Sequence, residues 1–568
     1  MKSITAVLVA LFFLCVSSNA QSFYQSSADA SHWVDSVFTK LSKNERIAQL
    51  MVVRLSAKTP TGVEFYNDKV EADIKKYNIG SVCLFQGSPV QQATFINQFQ
   101  SLAKTPIMFC IDDETGLGMR IDSVVKLPEQ MTIGAVNDSS LVYNIGKAIG
   151  RQCRRIGIQV SYAPVVDINN NANNPVINFR SLGQDKYKVA AYGIQMMRGI
   201  QSEGIMACAK HFPGHGDVSV DSHLDLPVIN KTMAQLDSLE LYPFKQMFAA
   251  GVGSVMIAHL SIPVIDSTPH LPTSLSQKNV TGLLRNELHY NGISFTDALE
   301  MKGVAKYFPQ GAAAVQSLVA GNDMLCLPGD VDDCITQIKK AIRKKQLSWN
   351  RIDSSVRKVL LAKYNLGLSN ASVTNLANLA PDLNADVTQL RMETAQKAIT
   401  LLQLQNKNLL SLPANKKVAF VGFDIAKNNA FADSIKSRYN ADVYYVSYKD
   451  SINSCDSLLN VFSGKYDAVI VGLHQLSKYP SNNFGLSQTA VNILNGLQAS
   501  NRTITFLFGN PYAVKNMCDA KNLLACYEDD TIFQQQAFEV LKGNLQPQGT
   551  LPVTVCEKYP FGSGIVVK

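Results

Sequence analysis

Short apolar runs of β character alternate with longer amphipathic stretches through the first two thirds of the chain. The runs fall at residues 49–55, 81–85, 106–112, 159–167, 206–210, 254–260, 292–297 and 323–327. Most are followed by a polar or glycine-bearing segment and then by helical spacing, as at 139–155 and 185–203. Strands that alternate with helices pair in parallel through crossover connections. Eight such units predict a (β/α)₈ barrel, an α/β fold whose chemistry lies at the C-terminal ends of its strands. A basic amphipathic helix at 351–368 closes this pattern. Residues 369–386 are rich in Asn, Ser, Ala and Pro, lack periodicity and read as a linker. A helix at 388–403 follows, then a second alternation with strands at 417–423, 442–448, 467–473, 504–509 and 523–528. Those five strands predict a smaller doubly wound α/β sandwich domain. Its first strand ends in Val421-Gly422-Phe423-Asp424, which is no dinucleotide fingerprint, so no nucleotide site is expected there.

The start of the chain adds a further segment. Lys2, an apolar run from Ala6 to Val16 and the small residues Ser18-Asn19-Ala20 have the layout of a secretory signal peptide. The expected organisation is therefore a leader at 1–20, the barrel at 21–368, a linker with the start of a helix at 369–394, and the second domain at 395–568. No later run reaches the roughly 18 apolar residues of a membrane span. A periplasmic or secreted protein with no membrane span is expected, as a monomer or homodimer.

Composition narrows the function. With 568 residues, 46% of them hydrophobic and 17% charged, the chain can bury large cores. Its 53 basic and 45 acidic residues leave a net charge of +8, thin for this length. The small basic clusters Lys339-Lys340 and Arg343-Lys344-Lys345 read as one solvated helix face. A nucleic-acid binder would carry a basic stripe with interleaved aromatics, so that class is excluded. Losing Cys15 with the leader would leave ten of the eleven cysteines, none in CxxC pairs. Several sit in apolar runs, and most are expected to be unpaired.

Candidate chemistry concentrates at KHFPGHGD, residues 210–217, followed by Asp221-Ser222-His223. Three of the eight histidines fall within thirteen residues directly after a strand. With Lys210 and two aspartates on a glycine-bearing strand-end loop, they point to catalysis. No HxH or HExxH spacing appears, so neither a metal nor another cofactor is expected. Asp297 ends the seventh strand in SFTDAL, where a carboxylate is placed for chemistry, although helix capping would also explain it. Asp112-Asp113-Glu114 ends the third strand, with Arg120 eight residues on, and an asparagine-rich loop at 169–178 leads to Arg180. Carboxylates, arginines, a lysine and histidines on four strand ends suit a polyhydroxylated ligand held by charge-assisted hydrogen bonds.

KHFPGHG with DSH, the SFTDAL strand end and the NNPVINFRS loop resemble glycoside hydrolase family 3, in its bacterial β-N-acetylglucosaminidase branch. The FGNPY and GTLPV segments at 508–512 and 549–553 resemble the second α/β domain of many members. The resemblance implies a β-N-acetylhexosaminidase acting on an N-acetylglucosamine-containing oligosaccharide or muropeptide. It implies Asp297 as nucleophile, His223 as general acid/base held by Asp221, and Asp112, Arg120, Arg180, Lys210 and His211 as sugar contacts. Thr115-Gly116 stands where the family commonly carries a Gly-Gly pair. Three alternatives stay open: a family 3 β-glucosidase or β-xylosidase, phosphorolytic cleavage, and a sugar-binding protein without catalysis.

Overall fold

The computed structural model describes residues 23–566 except 223, 310, 450–461 and 463. The leader, Cys15, Cys455 and His223 therefore lie outside the described residues.

All eight expected barrel strands form, at or inside the expected bounds apart from a two-residue extension of the fifth: β1 (Met51–Arg54), β2 (Ser81–Leu84), β3 (Met108–Ile111), β4 (Val160–Ser161), β5 (Met206–Phe212), β6 (Ser254–Ile257), β7 (Ile293–Thr296) and β8 (Leu325–Cys326). They pair in parallel in the order β8-β1-β2-β3-β4-β5-β6-β7. A parallel bridge from Phe295 to Met324 brings the last strand back to the first edge. The strands are buried on both faces, because helices cover the outside and side chains such as Tyr162 and Phe295, in edge contact, fill the inside. The helices Ser139–Ile156 and Lys186–Ser202 match the expected ones and start on the aspartate caps Asp138 and Asp185. A hairpin of Ser56–Thr59 against Gly62–Phe65, not foreseen, rises beyond β1.

The segment read as a linker is more ordered than its composition suggests. It carries a short helix, Leu379–Asn384, with Leu379 and Leu383 buried. It is pinned to the barrel by Arg155, which reaches the Asp382 carboxylate and the carbonyls of Asn375 and Ala377. The helix expected over 388–403 is Val387–Ala398, and the chain then turns into a strand, β9 (Thr400–Leu404). Pairing decides this: β9 runs antiparallel to the edge of the second sheet, Thr400 opposite Ala525, and its inner residues gain a buried position there. The other strands are the five expected: β10 (Val418–Phe423), β11 (Asp442–Val446), β12 (Ala468–Leu473), β13 (Thr503–Leu507) and β14 (Asn522–Ala525). They are parallel, in the order β9-β14-β13-β12-β10-β11.

Among the described residues, seven cysteines are buried free thiols and Cys518 pairs with Cys556. Among the described residues, no helix is long and apolar enough to cross a membrane.

Candidate active site

A cavity of about 1040 Å³ opens over the C-terminal ends of the barrel strands. Its walls include seven of the eight residues expected to form the site: Asp112, Arg120, Arg180, Lys210, His211, Asp221 and Asp297. The eighth, His223, lies outside the described residues, next to Ser222, which lines the same cavity.

Five of these side chains form one connected lattice with two carboxylates that the sequence reading did not assign to the site, Glu114 and Asp167. Arg120 donates to Asp112 Oδ2 at 3.0 Å, and Lys210 Nζ donates to the other Asp112 oxygen at 2.9 Å. Lys210 also reaches Glu114 Oε1 at 2.7 Å, and Arg180 grips both Glu114 oxygens at 2.7 and 2.9 Å. Arg180 then approaches His211 Nε2 at 3.4 Å, and His211 Nδ1 lies 2.7 Å from Asp167 Oδ2. Lys210 is 1% exposed, so its charge is held only because two carboxylates meet it. Burial by itself would raise the Asp112 pKa, but Lys210 and Arg120 overcome it and bring it to about 2. Glu114 is held well below the usual range in the same way, against its burial, by Arg180 and Lys210. Asp112 and Glu114 therefore stay ionised across the neutral pH range.

Asp113, between these two carboxylates in sequence, points elsewhere. It is buried and accepts from Ser161 Oγ at 2.6 Å and Cys153 Sγ at 3.0 Å, and burial pushes its pKa up to about 7. Neither Asp113 nor Glu114 caps a helix.

Lys210 and His211 are neighbours on a strand yet both line the cavity. Strand regularity fails there: pairing with β6 skips from Ala209 to Phe212. The following loop is fixed from several sides. Asp167 accepts the His215 amide at 2.7 Å, and Asn174 donates to the carbonyls of His215 and Gly216. The His215 ring is buried, with Nε2 3.1 Å from Ser222 Oγ, and burial and then the neighbouring His211 push its pKa down to about 4. Asp221 turns the chain, its carbonyl accepting from the amides of Leu224 and Asp225. Asp297 follows β7 directly. Its amide donates to Ile257 of the neighbouring strand, and Oδ1 accepts from the Ala298 amide at 2.8 Å, orienting the carboxylate.

The second domain supplies part of the wall through Lys478, Tyr479, Pro480 and Ser481. Tyr479 meets Phe179 of the barrel edge-on at 5.4 Å, and Lys478 pairs with Glu129. Asp167 was recoverable from the sequence, since it ends a strand run just as Asp297 does. The Phe179–Tyr479 contact spans three hundred residues and left no local signal.

Carboxylates and cations at the C-terminal ends of barrel strands, facing one open cavity, suit a polar, polyhydroxylated ligand. Residues 42–362, more than half the chain, match the model of the glycosyl hydrolase family 3 N-terminal domain. The chain belongs to glycoside hydrolase family 3. It is 31% identical over 377 residues to the β-hexosaminidase A of Pseudoalteromonas piscicida, covering 61% of this chain and 62% of that protein's length. It is 27% identical to a β-N-acetylglucosaminidase/β-glucosidase of Cellulomonas fimi, over 66% of this chain and 67% of that one. A solved family 3 β-N-acetylglucosaminidase from Paenibacillus superposes with a TM-score of 0.76 at 28% identity, covering 91% of this chain and 99% of its own.

Proposed function

We propose that this chain is an exported, retaining exo-glycosidase that releases terminal β-linked N-acetylglucosamine from oligosaccharides or muropeptides. One observation carries the reading: Asp297, at the tip of β7, shares a cavity with the Asp112–Lys210–Glu114–Arg180–His211 lattice and with the Asp221-Ser222 turn. The names of the Pseudoalteromonas and Paenibacillus relatives support the sugar. The leader-like segment at 1–20 supports export.

In this reading the lattice grips the hydroxyls of the terminal sugar through Asp112, Arg120, Arg180, Lys210 and His211. Asp297 attacks the anomeric carbon and forms a glycosyl ester while the bond to the leaving oxygen breaks. His223, oriented and kept protonatable by Asp221, gives its proton to that oxygen. The neutral imidazole then takes a proton from water, which attacks the ester and frees the sugar and Asp297. Two displacements retain the β configuration.

The Cellulomonas name, which pairs two activities, favours a second reading in which β-glucosides are also cleaved. Initial rates on nitrophenyl N-acetyl-β-glucosaminide and nitrophenyl β-glucoside, each with and without phosphate, test both. The expected outcome is a clear preference for the N-acetyl substrate, with free sugar released whether or not phosphate is present. Equal or faster glucoside cleavage would overturn the specificity, and a sugar phosphate product would overturn hydrolysis.

A further inference from the structure

Arg180 and the Lys478–Tyr479 rim come from different domains, and one side chain touches the supports of both. Asn510 caps the turn of helix at Pro511–Met517, its Oδ1 accepting from the Tyr512 amide at 3.0 Å. Its Nδ2 is then free to donate in two directions. It reaches Asn178 Oδ1 at 2.6 Å and the Lys478 carbonyl at 2.9 Å. Asn510 itself is buried and does not line the sugar cavity.

Asn178 is a residue that needs such support. It opens the single helical turn Asn178–Arg180, it is fully buried, and its φ is +36°, a left-handed conformation that a non-glycine side chain holds only when its surroundings fix it. Its Nδ2 donates to the Ala172 carbonyl at 3.0 Å, so both ends of the side-chain amide are clamped. The next two residues are Phe179, which carries the contact to Tyr479, and Arg180, which grips Glu114. A parallel tie runs alongside, from Asn169 Nδ2 to the Tyr512 hydroxyl at 2.8 Å.

From this geometry we infer that Asn510 is a positioning residue: the second domain uses it to set the Asn178–Arg180 turn, and so the Arg180 guanidinium, in register with the Lys478–Tyr479 rim. The inference rests on Arg180 being a sugar contact, as proposed above. It makes the second domain part of the binding machinery although the residues proposed for chemistry all stand on the barrel.

Asn510→Asp in the full chain tests it. The variant has the same shape and keeps the acceptor for the Tyr512 amide, but it puts an oxygen against Asn178 Oδ1 and the Lys478 carbonyl. On nitrophenyl N-acetyl-β-glucosaminide, KM should rise about tenfold, the scale of a lost buried hydrogen bond, with kcat within about twofold. Arg180→Ala should raise KM on its own, and the double variant should be no worse than Arg180→Ala, because the two act through one group. Asn510→Ala removes the donor without adding charge, should give the same split to a smaller degree, and stands in if the first variant does not fold. An unchanged KM in both Asn510 variants, a fall in kcat at constant KM, or effects that multiply in the double variant would overturn the positioning role. If Arg180→Ala leaves KM unchanged, it is the sugar-contact reading that fails, and the positioning role with it. A raised KM in Arg180→Ala with no effect at Asn510 removes the inference alone.

Discussion

His211 and Asp167 form a buried pair in which the carboxylate fixes both the ring and the strand end that carries it. Asp167 Oδ2 lies 2.7 Å from His211 Nδ1, and the same carboxylate accepts the backbone amides of His211 and His215. Burial would raise the Asp167 pKa, but His211 outweighs it, so the group stays ionised with its pKa lowered. Nδ1 therefore donates to Asp167, and Nε2 is the nitrogen left facing the cavity and Arg180. One carboxylate thus holds a histidine and the entry to the KHFPGHG loop together.

Asp167→Asn should cost activity through geometry. The amide can still hydrogen bond, but it no longer compels Nδ1 to be the donor. A loss of kcat/KM equivalent to about 1–3 kcal/mol is expected, together with a lower melting temperature, since three donors lose a charged partner. Steady-state kinetics and a thermal melt check both effects.

Asp297→Ala should reduce turnover by a factor on the order of 10⁴ or more, the scale seen when a catalytic nucleophile is removed. Its melting temperature should stay close to that of the parent, because a strand-end carboxylate is not core. With added azide as a substitute nucleophile, a single displacement should give the α-configured glycosyl azide. Product stereochemistry by NMR reads this out.

His223→Ala should separate substrates by leaving group. Those with a poor leaving group need their oxygen protonated and should be cleaved very slowly. A dinitrophenyl glycoside leaves unaided, so a burst followed by a slow steady rate is expected. Azide should speed that steady rate and yield the β-configured azide, opposite to the Asp297→Ala product. Asp221→Ala should show a milder form. The same loss on every leaving group, with no azide effect, would make His223 structural.

Lys363, on the helix Trp349–Asn365, is fully buried with Nζ 2.8 Å from Gln49 Oε1, and burial pushes its pKa down to about 7. The unfolded chain would hold that proton up to about pH 10.4. Between these values the unfolded state binds more protons, so folding stability should rise with pH from about 7 to 10. Lys363→Met keeps most of the volume and should flatten that slope, as urea titrations at pH 7, 8.5 and 10 would measure.

Local pattern settled much of this molecule. The eight barrel strands lie where apolar runs alternate with helical spacing, and the ends of such runs bring Asp112 and Asp297 to one cavity, although Asp113 beside the first turns into the core. Strand ends thus singled out Asp297, the Lys210-His211 pair and the Asp112-Asp113-Glu114 run, because in a parallel barrel a strand's end fixes where its residues go, while the choice of Asp112 within that run came from the family resemblance. Tertiary structure decided what depends on distant partners. Thr400–Leu404 became a strand because an open sheet edge offered unpaired backbone groups, although helical spacing runs straight into it. Glu114 and Asp167 became members of the lattice only when Arg180, Lys210 and His211 were brought to them from 66, 96 and 44 residues away. The contact of Phe179 with Tyr479, and Asn510 behind it, exists because two domains meet there. Spacing along a chain records which face a residue takes, whereas the partner that gives a buried charge its function is set by packing.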